Sequence, residues 1–336
     1  MQGSVSFFTV IKCGRVKTRE TSTNIFYHFM KPFFLFFLLF FAGCTASTNS
    51  TLPAPENKLT VVASFYPLAF LAQEIGGEKV EVTNLAGNTE VHEYQPSPQD
   101  MVLLQKADIV LFQGAQIEPW AKNLIPDIQK KGITILDISR AIAIKKGEML
   151  DVSDGGVTVP SADIHSSQMP NPHTWLNPVQ EKETITLMLP IFQKKDPQNA
   201  EYYQKNADML QKKFADLDTA FQKTLTHCQK KSVIVSHDAF EDLAKRYKFE
   251  TIPISSLSPE DEPSAERLAE LKKTAIEKGI THIVAEENEI QEYTKTLAKE
   301  ANLHILPINT VETGKTEFFT AMQQNLKSLS IALSCS

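Results

Sequence analysis

The chain has 336 residues, 42% of them hydrophobic, and a net charge of −6 from 34 basic and 40 acidic side chains. An acidic balance of that kind argues against a nucleic-acid partner, and the length is enough for two lobes with separate cores. Residues 1–43 hold Lys12, Arg15, Lys17, Arg19 and Lys31 against Glu20, so the chain from Cys44 onward is more acidic still, at −10.

The first feature in chain order is "MKPFFLFFLLFFAGC", residues 30–44. Its apolar run from Pro32 to Ala42 spans roughly 16 Å at about 1.5 Å per residue, short of a bilayer core of about 30 Å, so it reads as a secretory signal rather than a membrane-crossing helix. Its end, Phe41-Ala42-Gly43-Cys44, resembles the lipobox of bacterial lipoproteins. That resemblance implies a signal over residues 1–43, lipidation of Cys44 and a place outside the cytoplasm, anchored to a bacterial membrane at the periplasm or cell surface. Residues 1–29 have no evident role, and translation is expected to begin at Met30. Residues 44–58, polar and carrying two prolines, read as a tether whose typical reach is roughly 20 Å.

From Leu59 short β-branched runs alternate with helical patterns, the signature of an α/β architecture with parallel sheets. "LTVVASF", "VEVTNLA", "DIVLFQG" and "TILDIS" are expected strands of a first lobe, residues 59–195. Between them, Pro67 marks one helix start, and Ser97 with Pro98 marks another as N-cap and first helical residue. In residues 196–227, Ala207, Leu210, Phe214, Leu217, Phe221 and Leu225 form one apolar stripe. The spacing predicts a single helix of about 30 residues and roughly 45 Å, opened by Asp196 and Pro197 and long enough to brace both lobes. A second lobe, residues 228–336, repeats the first pattern with "KSVIVSH", "ETIPIS", "THIVAEE" and "LHILPI".

Ligands of parallel α/β sheets bind outside the carboxyl ends of the strands, which sorts the seven of eight histidines that follow Cys44. His92 in "GNTEVHEYQPSPQD" follows a strand, His173 in "NPHTWLNP" lies in a long loop after another, and His237 ends "KSVIVSH". All three fall on carboxyl edges. His227 sits at a helix end and His282 and His304 at strand starts, where structural roles suffice; His165 reads as a solvated loop residue. If the carboxyl edges of the lobes face each other, His92, His173 and His237 meet in the cleft. Three imidazoles with one oxygen make a tetrahedral environment suited to Zn²⁺. Glu312, after "LHILPI", is the first choice for the oxygen, with Glu90 and Glu93 as competitors.

These stretches resemble the solute-binding lipoproteins of zinc and manganese ABC importers: "VHEYQPSPQD", "NPHTWLNP" and "VSHDAF" resemble the three metal motifs of that family in order. "GAQIEPW" resembles a first-lobe signature, and the long helix resembles the helix that joins its two lobes. The resemblance implies metal-ligand roles for His92, His173 and His237, with Glu312 or water in fourth place. It also implies a monomer that captures Zn²⁺, or alternatively Mn²⁺, and delivers it to an ABC permease. A nitrogen-rich donor set favours zinc. Members that favour manganese offer glutamate where this chain has His237.

Further expectations follow from the chemistry. Neutral imidazole is the ligand, so affinity should fall as pH drops through roughly 6.5. An acceptor is expected on the second ring nitrogen of each histidine, with Asp238 and Asn177 near in sequence. Cys228 and Cys335 both fall at the amino edge of the second lobe, so a disulfide is expected there, far from the metal. A secreted zinc hydrolase would use a similar donor set, but the chain has no H-E-x-x-H motif and no obvious general base. A lipoprotein adhesin is a further alternative.

Overall fold

The computed structural model describes residues 58–114, 117–145, 171–256, 262–286 and 290–336. The stretches expected to be a signal, a lipidation site at Cys44 and a tether lie outside the described residues, apart from Lys58, as does His165. Among the described residues no helix is long and apolar enough to cross a membrane.

Two four-stranded sheets form, and every strand pairing in both is parallel. The first contains β1 (Leu59–Ala63), β2 (Val80–Asn84), β3 (Ile109–Phe112) and β4 (Thr134–Asp137) in the order β2-β1-β3-β4. The second repeats that order with β6-β5-β7-β8, from β5 (Ser232–Val235), β6 (Glu250–Pro253), β7 (His282–Glu286) and β8 (His304–Ile308). In each sheet the chain moves outward on one side and then on the other, which opens a crevice at the carboxyl edge where the order reverses.

The helices are α1 (Tyr66–Gly76), α2 (Pro98–Lys106), α3 (Ala121–Gln129), α4 (Ile138–Lys145), α5 (Pro178–Lys195), α6 (Ala200–Leu225), α7 (Glu241–Tyr247), α8 (Ala265–Glu277), α9 (Glu292–Ala301) and α10 (Phe318–Ala332). Helix α2 starts where Ser97 and Pro98 place it. The Ser97 hydroxyl accepts from the Asp100 amide at 3.3 Å, and the Asp100 carboxylate accepts from the Ser97 amide at 2.7 Å, a reciprocal capping box.

Two elements differ from the sequence reading. "TILDIS" is a strand only to Asp137; the Asp137 carboxylate then accepts from the Arg140 amide at 3.1 Å and starts α4. The long helix is shorter than expected. Asp196 does not cap it; its carboxylate instead accepts from the Asn199 amide group and the Tyr203 hydroxyl, at 2.7 and 2.6 Å. Pro197–Asn199 turn as a 3-10 segment, and α6 runs 26 residues, or about 39 Å.

The stripe on α6 is nonetheless buried from Tyr203 to Leu225. Asn206 donates to the Ile75 carbonyl of α1 at 3.0 Å, and Phe214 meets the Phe318 ring of α10 edge-on at 5.4 Å. Farther along, Phe221 stacks on Tyr247 at 5.1 Å and Asp218 takes a two-pronged pair from Arg246 at 3.1 and 2.8 Å. One apolar cluster therefore runs from the first sheet through α6 to one face of the second. The other face of the second sheet has its own cluster with α8 and α9. A helix seated this way on both halves is a brace rather than a hinge.

At the amino edge of the second sheet, Cys228 and Cys335 are bonded through their sulfurs, 107 residues apart in sequence. The Gln229 and Lys230 amides bond to the Ser334 and Leu333 carbonyls beside them. His282 and His304 open β7 and β8 opposite one another in register, also on the amino edge.

Candidate metal centre

His173 is held by the segment 171–178, "NPHTWLNP". Each Asn-Pro pair does a separate local job. Asn177 caps α5, accepting from the Val179 amide at 3.0 Å with Pro178 as first helical residue. Asn171 turns its Oδ1 toward His173, accepting from both the backbone amide at 3.1 Å and ring Nδ1 at 2.7 Å. Between them Thr174–Leu176 make a 3-10 turn that buries Trp175 against Phe65, ring centroids 4.8 Å apart. From the first sheet, the Gln113 side chain donates to the Pro172 carbonyl and the Thr174 hydroxyl, each at 2.8 Å. Gln113 is fixed in turn by Glu118 of "GAQIEPW", whose buried carboxylate accepts from the Gln113 and Gly114 amides at 3.0 and 2.9 Å and from the Ser64 hydroxyl. Burial pushes the Glu118 carboxyl up to about 7 against the pull of those donors.

His92 lies on the loop after β2, shaped by turns that close from Glu93 to Glu90 and from Tyr94 to Val91. Val91 and Tyr94 are buried and His92 is half-exposed. Its Nε2 stands 3.2 Å from Nε2 of His173. Two nitrogens bound to one tetrahedral Zn²⁺ at about 2.0–2.1 Å would be about 3.3 Å apart, so the pair already spans one edge of such a site.

Glu312 enters from the second sheet. The loop after β8 is pinned by a reciprocal pair between Asn309 and Asn325 at 2.8 and 2.6 Å, and by Trp175 Nε1, which donates to the Thr310 carbonyl at 2.7 Å. Val311, which precedes Glu312, takes φ +65°, a strained setting for a β-branched residue. One carboxylate oxygen of buried Glu312 and one ring nitrogen each of His92 and His173 all lie within 4.8 Å of one another.

His237 is close but stands outside that tightest group. Its ring centroid is 5.5 Å from that of His173 and 6.5 Å from that of His92. Its ring is 1% exposed, and neither nitrogen has a hydrogen-bond partner among the described residues. A buried polar ring in that state is costly unless another partner arrives. Glu286, at the carboxyl end of β7, puts an oxygen 3.6 Å from its Nδ1. Glu90, Glu286 and Glu312 all line a cleft of about 540 Å³, while Glu93 is exposed.

Neither the Asn177 nor the Asp238 side chain takes the place expected of it beside a histidine ring. Asn177 turns away from the histidines, capping α5 and donating to the Asp242 carboxylate at 2.9 Å. Asp238 contributes its backbone carbonyl, to which Asn171 Nδ2 donates at 2.6 Å. Asn171, Gln113, Trp175 and Glu286 were missed. The repeated Asn-Pro of "NPHTWLNP" was the one local signal for Asn171.

Burial, followed by the neighbouring His237 and His92 rings, holds His173 well below the usual imidazole range; burial and His92 push His237 down to about 3. Both rings are therefore neutral donors well below pH 6.5, which revises the expectation from ordinary imidazoles. Between about pH 7.5 and 5.5, three ordinary histidines would cost roughly 1,000-fold in metal affinity, tenfold each. Because a lowered pKa moves proton competition to more acidic solution, a loss of about tenfold or less is expected. Competition titrations with a zinc chelator at both pH values check this.

The chain matches the family described as "Zinc-uptake complex component A periplasmic" over residues 61–332. The high-affinity zinc uptake system protein ZnuA of Bacillus subtilis is 31% identical over 314 residues, covering 88% of this chain and 94% of the relative. Zn(II)-bound AdcA of Streptococcus pneumoniae superposes with a TM-score of 0.68 at 30% identity, over 82% of this chain and 58% of that one. This chain thus spans little more than half of AdcA's length. A variant of Zn(II)-bound AdcAII from the same organism gives a TM-score of 0.70 at 25% identity, over 83% of this chain and all of that one. The chain belongs to the ZnuA family of zinc-uptake binding components.

Proposed function

We propose that this protein captures Zn²⁺ outside the cytoplasm and hands it to the membrane permease of an ABC importer, without chemical change to the ion. The observation that carries the reading is the 3.2 Å separation of the His92 and His173 Nε2 atoms, with His173 Nδ1 already committed to Asn171. Glu312 supplies the oxygen, and His237 completes the set by a small inward shift of its ring. Three neutral nitrogens and one carboxylate suit Zn²⁺ better than Mn²⁺, which takes more oxygen. The family's periplasmic description and its zinc-uptake members support the location and the permease as partner.

Capture biases the cleft toward closure because both sheets contribute donors, so the closed arrangement binds metal more tightly. The α6 brace keeps that motion small. We assign Cys44 as the lipidated residue, holding a monomer to the membrane by its short tether.

Metal analysis of the soluble chain from Thr45 onward, followed by competition with Mn²⁺, tests the reading. One Zn²⁺ per chain that excess Mn²⁺ does not displace is expected. Preferential retention of Mn²⁺, or no stoichiometric metal, would contradict it.

A further inference from the structure

The loop that carries Glu312 belongs to the second lobe, between β8 and α10, yet on both sides of Glu312 its backbone rests on one dipeptide of the first. That dipeptide is Phe65-Tyr66, the N-cap and first residue of α1. Before Glu312, Phe65 packs edge-on against Trp175 at 4.8 Å, and Trp175 Nε1 donates to the Thr310 carbonyl at 2.7 Å. After it, the Tyr66 ring lies directly against Gly314, and the Tyr66 hydroxyl oxygen accepts from the Phe318 amide at 3.2 Å.

Two separate conditions demand glycine at 314. Its φ is +69°, in the left-handed region. A Cβ built on it would stand 2.5, 2.8 and 2.9 Å from three ring atoms of Tyr66, well inside an ordinary carbon contact of about 3.5–4.0 Å. Ring and backbone therefore touch with no room between them. On the near side of Glu312, Val311 holds φ +65°, a strained state that persists only where the surroundings impose it. Asn309 Oδ1, which accepts from the Val311 amide at 2.6 Å, and Trp175 hold the loop up to Val311. Tyr66 holds the turn beyond Glu312.

We propose that Tyr66 is a positioning residue for Glu312: by seating Gly314, its ring fixes how far the loop advances the carboxylate into the cleft. This rests on the capture reading above, and it makes the first lobe responsible for placing a donor of the second. Without the ring, the turn relaxes toward α1 and draws Glu312 from the group it forms with His92 and His173. The start of α10 has supports of its own. Phe70 stacks on Phe318 at 5.0 Å, and the Glu317 carboxylate caps the helix, accepting from the Phe319 and Thr320 amides at 3.1 and 2.9 Å. A change at Tyr66 thus acts on the loop rather than on the docking of α10.

The test measures zinc affinity by chelator competition for Tyr66→Ala, Tyr66→Phe and Gly314→Ala in the chain from Thr45 onward, after matching melting curves. Each is also combined with Glu312→Ala. Tyr66→Ala removes the seat and Gly314→Ala pushes the turn off it, so each is expected to weaken zinc binding about 10- to 100-fold. Tyr66→Phe keeps the ring and should stay within about threefold of wild type. Once Glu312 is alanine there is no carboxylate to place, and the same changes should then alter affinity by less than about threefold. A merely structural role would lower affinity by the same factor in both backgrounds.

Wild-type affinity in Tyr66→Ala and Gly314→Ala would overturn the proposal, as would equal losses with and without Glu312. If Tyr66→Ala does not fold, Gly314→Ala in the two backgrounds decides alone. His173→Ala in the same series separates the two readings. If it loses zinc while the Tyr66 and Gly314 variants bind as wild type, capture stands and the positioning falls; if it binds zinc like wild type, both fall.

Discussion

His173→Ala is expected to weaken zinc binding by roughly 100- to 1,000-fold. Four-ligand zinc sites in small domains contribute about 10–16 kcal/mol, so one ligand accounts for about 2.5–4 kcal/mol, and each 1.4 kcal/mol is about tenfold. The substitution removes more than one contact. His173 is the ring within 3.2 Å of His92, it shares the tight donor group with Glu312, and its loss leaves Asn171 Oδ1 with only a backbone donor. His92, on a half-exposed loop, can reach for water when a neighbour is removed; His173, fully buried, has no such substitute. Competition with a fluorescent chelator measures the change. An affinity within threefold of wild type would remove His173 from the site.

Replacing Cys228 and Cys335 together by serine is expected to do the reverse, lowering stability and leaving zinc binding alone. The bond closes a loop of 107 residues, and cross-links of about 100 residues restrict the unfolded chain by up to about 4.7 kcal/mol, with measured losses typically of about 2–5 kcal/mol. For a folded body of this size that corresponds to a fall in melting temperature on the order of 10 °C. The bond joins the chain just before β5 to the end of α10, at the amino edge, whereas the four candidate donors lie on the carboxyl edge. Thermal melts of the metal-free double variant and zinc titrations below its melting point check the two halves separately. A weakened site in a fully folded variant would show that the amino edge controls the cleft.

Much of the candidate site was legible because two simple rules acted together. Strand runs in "VEVTNLA" and "KSVIVSH" fixed the direction of the chain, and the carboxyl-edge rule then separated His92, His173 and His237 from His227, His282 and His304. The apolar stripe of α6 was read correctly, from Ala207 to Leu225, since a 3.6-residue period needs no knowledge of the partner. Its start was not, because Asp196 and Pro197 suit a 3-10 turn as well as an α-helical N-cap, and the Tyr203 hydroxyl decided between them.

What escaped the sequence was mostly non-local. The bond from Asn171 to Asp238 spans 67 positions and that from Trp175 to Thr310 spans 135, and no periodicity encodes either. Helix α4 was missed because "TILDIS" carries three β-branched residues, Thr134, Ile135 and Ile138, while its actual stop is a carboxylate turning back on the Arg140 amide. Glu312 could be chosen by its edge but not placed, since its approach depends on Val311 at positive φ and on the Asn309–Asn325 pair. The depression of His173 and His237 also depends on burial among other rings, which composition does not reveal.

The most direct measurement is anomalous diffraction at the zinc edge from crystals of the chain from Thr45 onward grown with one equivalent of Zn²⁺. The account predicts a single strong peak about 2.0–2.2 Å from Nε2 of His92, Nε2 of His173 and a Glu312 oxygen, with His237 drawn in as the fourth donor. A peak bound elsewhere, or one that leaves out either His92 or His173, would contradict it.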